Sequence, residues 1–132
     1  MLALDRRAFG TGRARLLDDL VADSFVAQHI IRAPDGALRG YALARQGAIA
    51  SYVGPLVASD QNAAVSLLDA MLGQLVGGTV FIDINTGFQA SARIVAERGF
   101  TKQRELIRMG AGLRNSAGTS PLVFAIAGPE LG

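Results

Sequence analysis

The stretch from Asp60 to Ile84 constrains the fold of this chain more than any other. Ala64, Leu67, Leu68, Met71, Leu72 and Leu75 recur at i, i+3, i+4, i+7, i+8 and i+11, which puts one apolar stripe along a helix. Asp60 stands just before the stripe and is a good N-cap, because a short carboxylate can accept from the first unpaired amides. Gly77 and Gly78 end the helix. Ala48–Ala58 before it and Thr79–Ile84 after it read as strands. The second of these (TVFIDI) hardly alternates, as expected for a strand covered on both faces. A helix between two such strands is a crossover between parallel neighbours, and it is expected to be right-handed.

The residues before this unit predict an antiparallel meander. Phe25–Arg32 (FVAQHIIR) is a strand, Pro34-Asp35-Gly36 is turn chemistry, Leu38–Arg45 is a second strand and Gln46-Gly47 turns again into Ala48–Ala58. Leu2–Ser24 reads as a loop and then a helix, with Leu16, Leu17, Leu20 and Val21 on one apolar face and Asp18, Asp19 and Asp23 toward solvent. After the crossover, Phe88–Arg98 is a second helix closed by Gly99. Phe100–Met109 reads as a strand, Ala111–Pro121 as a Gly/Ser/Asn-rich loop and Leu122–Ala127 as a last strand. The 132 residues therefore predict one α+β domain with a central mixed, mostly antiparallel twisted sheet flanked by helices.

Two features of the third strand and its helix point toward a ligand. Proline cannot donate to a ladder, so Gly54-Pro55 marks an edge, a bulge or a place where the sheet opens and leaves backbone groups free. The helix start behind it carries unpaired amides, which suit an anion.

Composition removes several classes of function. There is no cysteine, so disulfides, thiol catalysis and cysteine metal sites are excluded, and the one histidine, His29, makes a zinc site a poor reading. The formal charge is +2, with basic residues scattered from Arg6, Arg7, Arg13 and Arg15 to Arg93, Arg98, Lys102, Arg104 and Arg108, so no nucleic-acid stripe is present. No apolar run approaches the roughly 20 residues that span a bilayer, and the start shows no signal-peptide core. No membrane partner and a cytoplasmic protein are expected.

The order of elements, with LDRRAFGTGRARLL, GYALAR, VGPLVASD, FIDIN, RGF, RMGAG and the closing FAIAGPELG, resembles the GNAT superfamily of N-acetyltransferases. More narrowly it is similar to the C-terminal domain of tandem GNAT proteins. The resemblance covers nearly the whole chain, although the first strand of such a domain is not visible before Leu2. It implies a GNAT-like acyl-CoA N-acyltransferase fold and acetyl-CoA as cosubstrate. The cofactor would enter a gap between the strand ending near Val57 and the strand Thr79–Ile84. Its pantetheine would meet the backbone at Leu56 and Val57. Its pyrophosphate would lie on Gln61, Asn62, Ala63 and Ala64, with Asn85 beside it. A glutamate introduced at Ala64 is expected to meet the pyrophosphate.

Two loops compete for that pyrophosphate. Arg7-Ala8-Phe9-Gly10-Thr11-Gly12 matches the family's letters but lacks a strand in front. Gln61–Ser66 has the right topology, yet Ala64 and Ser66 stand where the family prefers glycine, and Asp60 adds a negative charge. The family's leaving-group tyrosine falls at Val95 and its asparagine at Phe88. Asp83, which interrupts an apolar strand beside the gap, is either the best catalytic carboxylate candidate or a hydrogen-bonded strand-end residue, and Asn85 either orients a ligand or makes an Asx turn. Tyr41 and Tyr52 read first as packing residues, and His29 as an exposed strand histidine or a base. Two functions follow. One is acetyl transfer to a primary amine of a small molecule or protein. The other is a catalytically degenerate GNAT domain that binds a ligand or serves as a dimerisation or regulatory module, with a second copy or a second GNAT domain as partner.

Overall fold

The computed structural model describes residues 1–22, 27–107, 121–129 and 131. Its helices are α1 (Leu2–Phe9), α2 (Ala14–Ala22), α3 (Gln61–Gln74) and α4 (Gln89–Ala96). Its strands are β1 (Ala27–Arg32), β2 (Leu38–Gln46), β3 (Ser51–Ala58), β4 (Val80–Ile82) and β5 (Val123–Ala125). The described strands form one five-stranded sheet in the order β1-β2-β3-β4, with β5 added to β3. The β1–β2, β2–β3 and β3–β5 pairs are antiparallel and β3–β4 is parallel, which gives the expected α+β class.

The meander forms where its turns predict. The Gly36 amide donates to the Ala33 carbonyl at 2.9 Å, the Ala37 amide donates to Asp35 Oδ1 at 2.9 Å, and Gly47 donates to Ala50 at 2.8 Å. Two expectations fail. The start of the chain is helix α1, not a loop, because Leu4, Asp5, Ala8 and Phe9 make one buried stripe. Asp5 sits inside that stripe and hides its apolar period from a reading by hydrophobicity. The strand expected at Phe100–Met109 is not formed: residues 100–107 have no regular structure and 108–109 lie outside the described residues. The loop expected at Ala111–Pro121 lies outside them except for Pro121.

Helices cover both faces of the sheet. On one face, Ala63, Ala64, Leu67, Leu68 and Met71 of α3 and Leu75 at its C-cap meet Ala27, Ala42, Ala44, Val53, Leu56 and Ala58 of the strands. The division is large on the helix and small on the sheet, so α3 rides close to the strands. Gly40 carries this furthest, since a Cβ there would lie 2.8 Å from Leu67 Cδ1 and 2.9 Å from the Val57 carbonyl oxygen. Gly40→Ala is therefore expected to cost about 1–3 kcal/mol by overpacking, read as a lower urea midpoint at unchanged slope. On the other face, Leu4, Ala8, Phe9 and Leu17 of α1 and α2 cover Tyr41, Leu43, Val57 and Val123.

The break in β3 is a bulge. Ala42 pairs with Leu56 and Ala44 with Val53, so Leu43 stands opposite both Gly54 and Pro55. The extra residue shifts the alternation: Val53, Leu56 and Ala58 all face α3. Among the described residues β1 is bonded only to β2, which makes Ala27–Arg32 an edge.

Candidate active site

Beyond the bulge, β3 and β4 part. They pair at Ser51–Val80, Tyr52–Phe81 and Val53–Ile82 and no further. These are the two strands between which the sequence placed a gap. The gap is filled. β5 takes the same edge of β3 that β4 has left, pairing Ala125 with Leu56 and Val123 with Val57. The Ala58 amide donates to the Leu122 carbonyl at 3.0 Å. On its other side β5 reaches the continuation of β4: the Ile126 amide donates to the Asp83 carbonyl at 2.9 Å, and Ala125 bridges to Ile84. Leu56 and Val57 are thus paired with a segment of the chain itself.

The start of α3 is likewise engaged. Asp60 caps the helix, accepting from the Ala63 amide at 3.0 Å, and the Ala64 amide donates to the Asp60 carbonyl at 3.1 Å. The other carboxylate oxygen accepts from Arg39 at 2.6 Å and from the Ser59 hydroxyl at 2.8 Å. Arg39, the Ala63 amide and the Ser59 hydroxyl together lower the Asp60 pKa to about 2. The carboxylate is therefore fully charged at neutral pH and lies at the start of α3. Its folded pKa lies below its ordinary value, so its contribution to stability is present above pH 3.8 and lost as the pH falls toward about 2. Asp60→Asn keeps a capping oxygen but removes this loss, and thermal scans between those two values should show a shallower acid limb in the variant.

The remaining candidates divide between the two elements. Gln61 is half-buried and Asn62 exposed at the first turn of α3. Ala64 is 1% exposed and faces the sheet, so a glutamate there would enter the core and not meet a pyrophosphate. Asp83 directly follows β4 at the parting of the strands and is half-buried, with its carbonyl committed to Ile126. Asn85 resolves to the Asx turn, accepting from the Gly87 amide at 3.0 Å. His29 lies on β1 opposite Ala42, and its buried Nε2 has no hydrogen-bond partner among the described residues. Tyr52 makes an edge-to-face pair with Phe81, ring centroids 5.4 Å apart, and so packs across the β3–β4 pair. In the rival loop, Arg7 is exposed on α1 and Gly10 closes that helix, so no strand leads into it.

A polar cluster that the sequence reading missed lies under α1 and α2. Asp5 is 1% exposed and its carboxylate is gripped on both oxygens by Arg13, at 3.1 Å from Nε and 2.7 Å from Nη2. The Tyr41 hydroxyl donates to the same carboxylate. The Arg13 guanidinium also lies over the Phe9 ring, 3.3 Å from its centroid. Burial, then the Asp5 hydrogen bond, push the Tyr41 hydroxyl well above its ordinary pKa. Both carboxylate oxygens are occupied, so the cluster ties α1 and α2 to β2 and is not an open acid–base site. The eight-residue spacing of Asp5 and Arg13 across a turn gives no periodic signal that would reveal it.

With β5 bonded at Leu56 and Val57, a pantetheine arm does not fit that edge while the strand is seated, and the Asp60 carboxylate stands at the start of α3. Among the described residues no group of three metal-ligating side chains occurs, and no helix is long and apolar enough to cross a membrane. A sequence-family profile described as an acetyltransferase (GNAT) domain matches residues 1–125. No curated protein and no solved structure matches the chain.

Proposed function

Since this chain belongs to the GNAT acetyltransferase family, we propose that it transfers an acetyl group from acetyl-CoA to a primary amine of a small molecule or a protein in the cytoplasm. The observation that carries this reading is the parting of β3 from β4 after Val53, with the Gly54-Pro55 bulge at its mouth and α3 directly behind. The cofactor's arm would use the β3 edge at Leu56 and Val57 in molecules where β5 has left that edge. Its diphosphate would use the open amides of Gln61 and Asn62 at the start of α3. Asp83, at the parting of the strands, is the carboxylate assigned to take the proton from the amine.

Isothermal titration with acetyl-CoA tests the reading. Micromolar affinity supports it, and no heat together with no thermal shift at millimolar ligand removes it. Asp60→Asn is expected to tighten binding about fivefold. Removing one like charge near the diphosphate is worth about 1 kcal/mol at a solvent-exposed position. An unchanged affinity would place the diphosphate elsewhere.

A second reading rests on a specific observation. Asp60 caps α3 and β5 pairs with Leu56 and Val57, which suits a degenerate GNAT domain that serves a partner. Its partner edge would be β1, an open edge of the sheet among the described residues, offered to a second copy or a second GNAT domain. Light scattering tests its dimer form, which a clean monomer mass removes.

A further inference from the structure

The cleft that parts β3 from β4 contains a strand, and that strand is this chain's own. We infer that β5 is a resident competitor for the acyl-CoA cleft: it takes the backbone positions that the pantetheine arm would use, so the cleft opens only in molecules where residues 122–127 have left it. The inference rests on the acetyl-CoA reading above. Its support is the bonding of β5 on both sides. Toward β3 it pairs at Leu56 and Val57, and the Ala58 amide is satisfied by Leu122. Toward β4 it satisfies the Asp83 carbonyl through the Ile126 amide and bridges Ile84. An extended backbone with donors and acceptors on both edges is what such a gap accepts, and a pantetheine arm with its two amides offers the same chemistry.

The seating is shaped as well as bonded. Gly54 has φ +156°, and a Cβ built there would stand 1.9 Å from the Ile126 carbonyl oxygen. The missing side chain at the mouth of the gap is therefore the space that this segment fills. The hold is also limited. β5 spans three residues against the eight of β3, and its register breaks between Leu56 and Val57. Against release stand Val123 and Ala125, both fully buried, whose exposure opposes opening. The apparent affinity of the resting chain for acetyl-CoA is accordingly its intrinsic affinity reduced by the open fraction.

The test uses the full chain. Acetyl-CoA is titrated calorimetrically, and amide hydrogen exchange is followed at Ile126 with and without saturating ligand. The expected result is protection at Ile126 in the free protein that is lost on binding. Ala125→Asp places a carboxylate at a fully buried position of β5 and should unseat the strand, tightening acetyl-CoA binding tenfold or more. Val123→Thr, close to isosteric, weakens the seating more gently and should tighten binding in the same direction if Ala125→Asp does not fold. Binding that leaves Ile126 protected, with wild-type affinity in the folded variant, overturns the inference and leaves the acetyl-CoA reading standing. Absence of binding by both the wild type and the folded variant at millimolar ligand overturns both.

Discussion

Asp5→Ala is expected to destabilise the fold by about 3–5 kcal/mol, a large part of what a domain of this size has. The loss comes from what is left behind. Arg13 has a side chain 9% exposed and would keep its charge beneath α2 without its carboxylate, while the Tyr41 hydroxyl would lose the acceptor it now donates to. Urea unfolding followed by circular dichroism measures the effect. The mechanism has its own check. Asp5→Leu combined with Arg13→Met and Tyr41→Phe removes every member of the cluster together and should recover most of the loss, because apolar groups replace a buried ion pair at little cost. A triple variant as unstable as Asp5→Ala would show that packing of α1, not the unpaired charge, sets the effect.

The same cluster gives the protein an alkaline limit. The folded Tyr41 pKa is raised, by burial first and the Asp5 hydrogen bond second, so the neutral phenol is the form the fold holds. Its contribution is intact below the ordinary tyrosine value and declines as the pH rises above it. Tyr41→Phe should be less stable than wild type at neutral pH yet lose less between about pH 9 and pH 11, read as urea midpoints across that range.

Gly54→Ala is the second large effect. A methyl group at this position cannot coexist with the Ile126 carbonyl 1.9 Å away, and the backbone there has φ +156°, a region side chains avoid. Overpacking and the unfavourable φ together give an expected loss of about 2–5 kcal/mol. The loss should be local in character, with residues 122–127 losing amide protection while α3 and the β1–β2 hairpin keep theirs. Gly73→Ala is the matched control. It lies in α3 with nothing within 4 Å of its Cβ position, so the change should stabilise by about 1 kcal/mol through helix propensity. Equal effects at the two glycines would refute the close approach at Gly54.

Much of the fold was legible because local rules and tertiary packing agree there. The period of Ala64, Leu67, Leu68 and Met71 predicts both the existence of α3 and the face it buries, and Asp60 is its cap. The turn at Pro34–Gly36 set the first hairpin, since proline presets its own φ and glycine takes the positive φ the turn needs at little cost. α1 was not legible. Its buried stripe contains a charged residue whose partner lies across a turn, and no period in hydrophobicity encodes an ion pair. The face exchange in β3 was only half legible. Gly54-Pro55 announced an irregularity, but that Val53 and Leu56 share a face follows from the register with β2, which involves residues at Ala42 and Ala44.

The candidate site shows the same division. The sequence by itself determined the crossover unit, the position of the gap between the third strand and its parallel neighbour, and the helix start behind it, because each depends on residues adjacent in the chain. It also carried the family resemblance, which is spread over the order of those pieces. Only the tertiary structure decided what lies in the gap. β5 is 66 positions from the edge it occupies, counted from Val57 to Val123. Its three residues have no amphipathic pattern that names a partner, and backbone hydrogen bonding is blind to side-chain identity. The Asp60 carboxylate was read as a charge near the anion site. The structure adds that Arg39, 21 positions earlier, and the Ala63 amide hold it there.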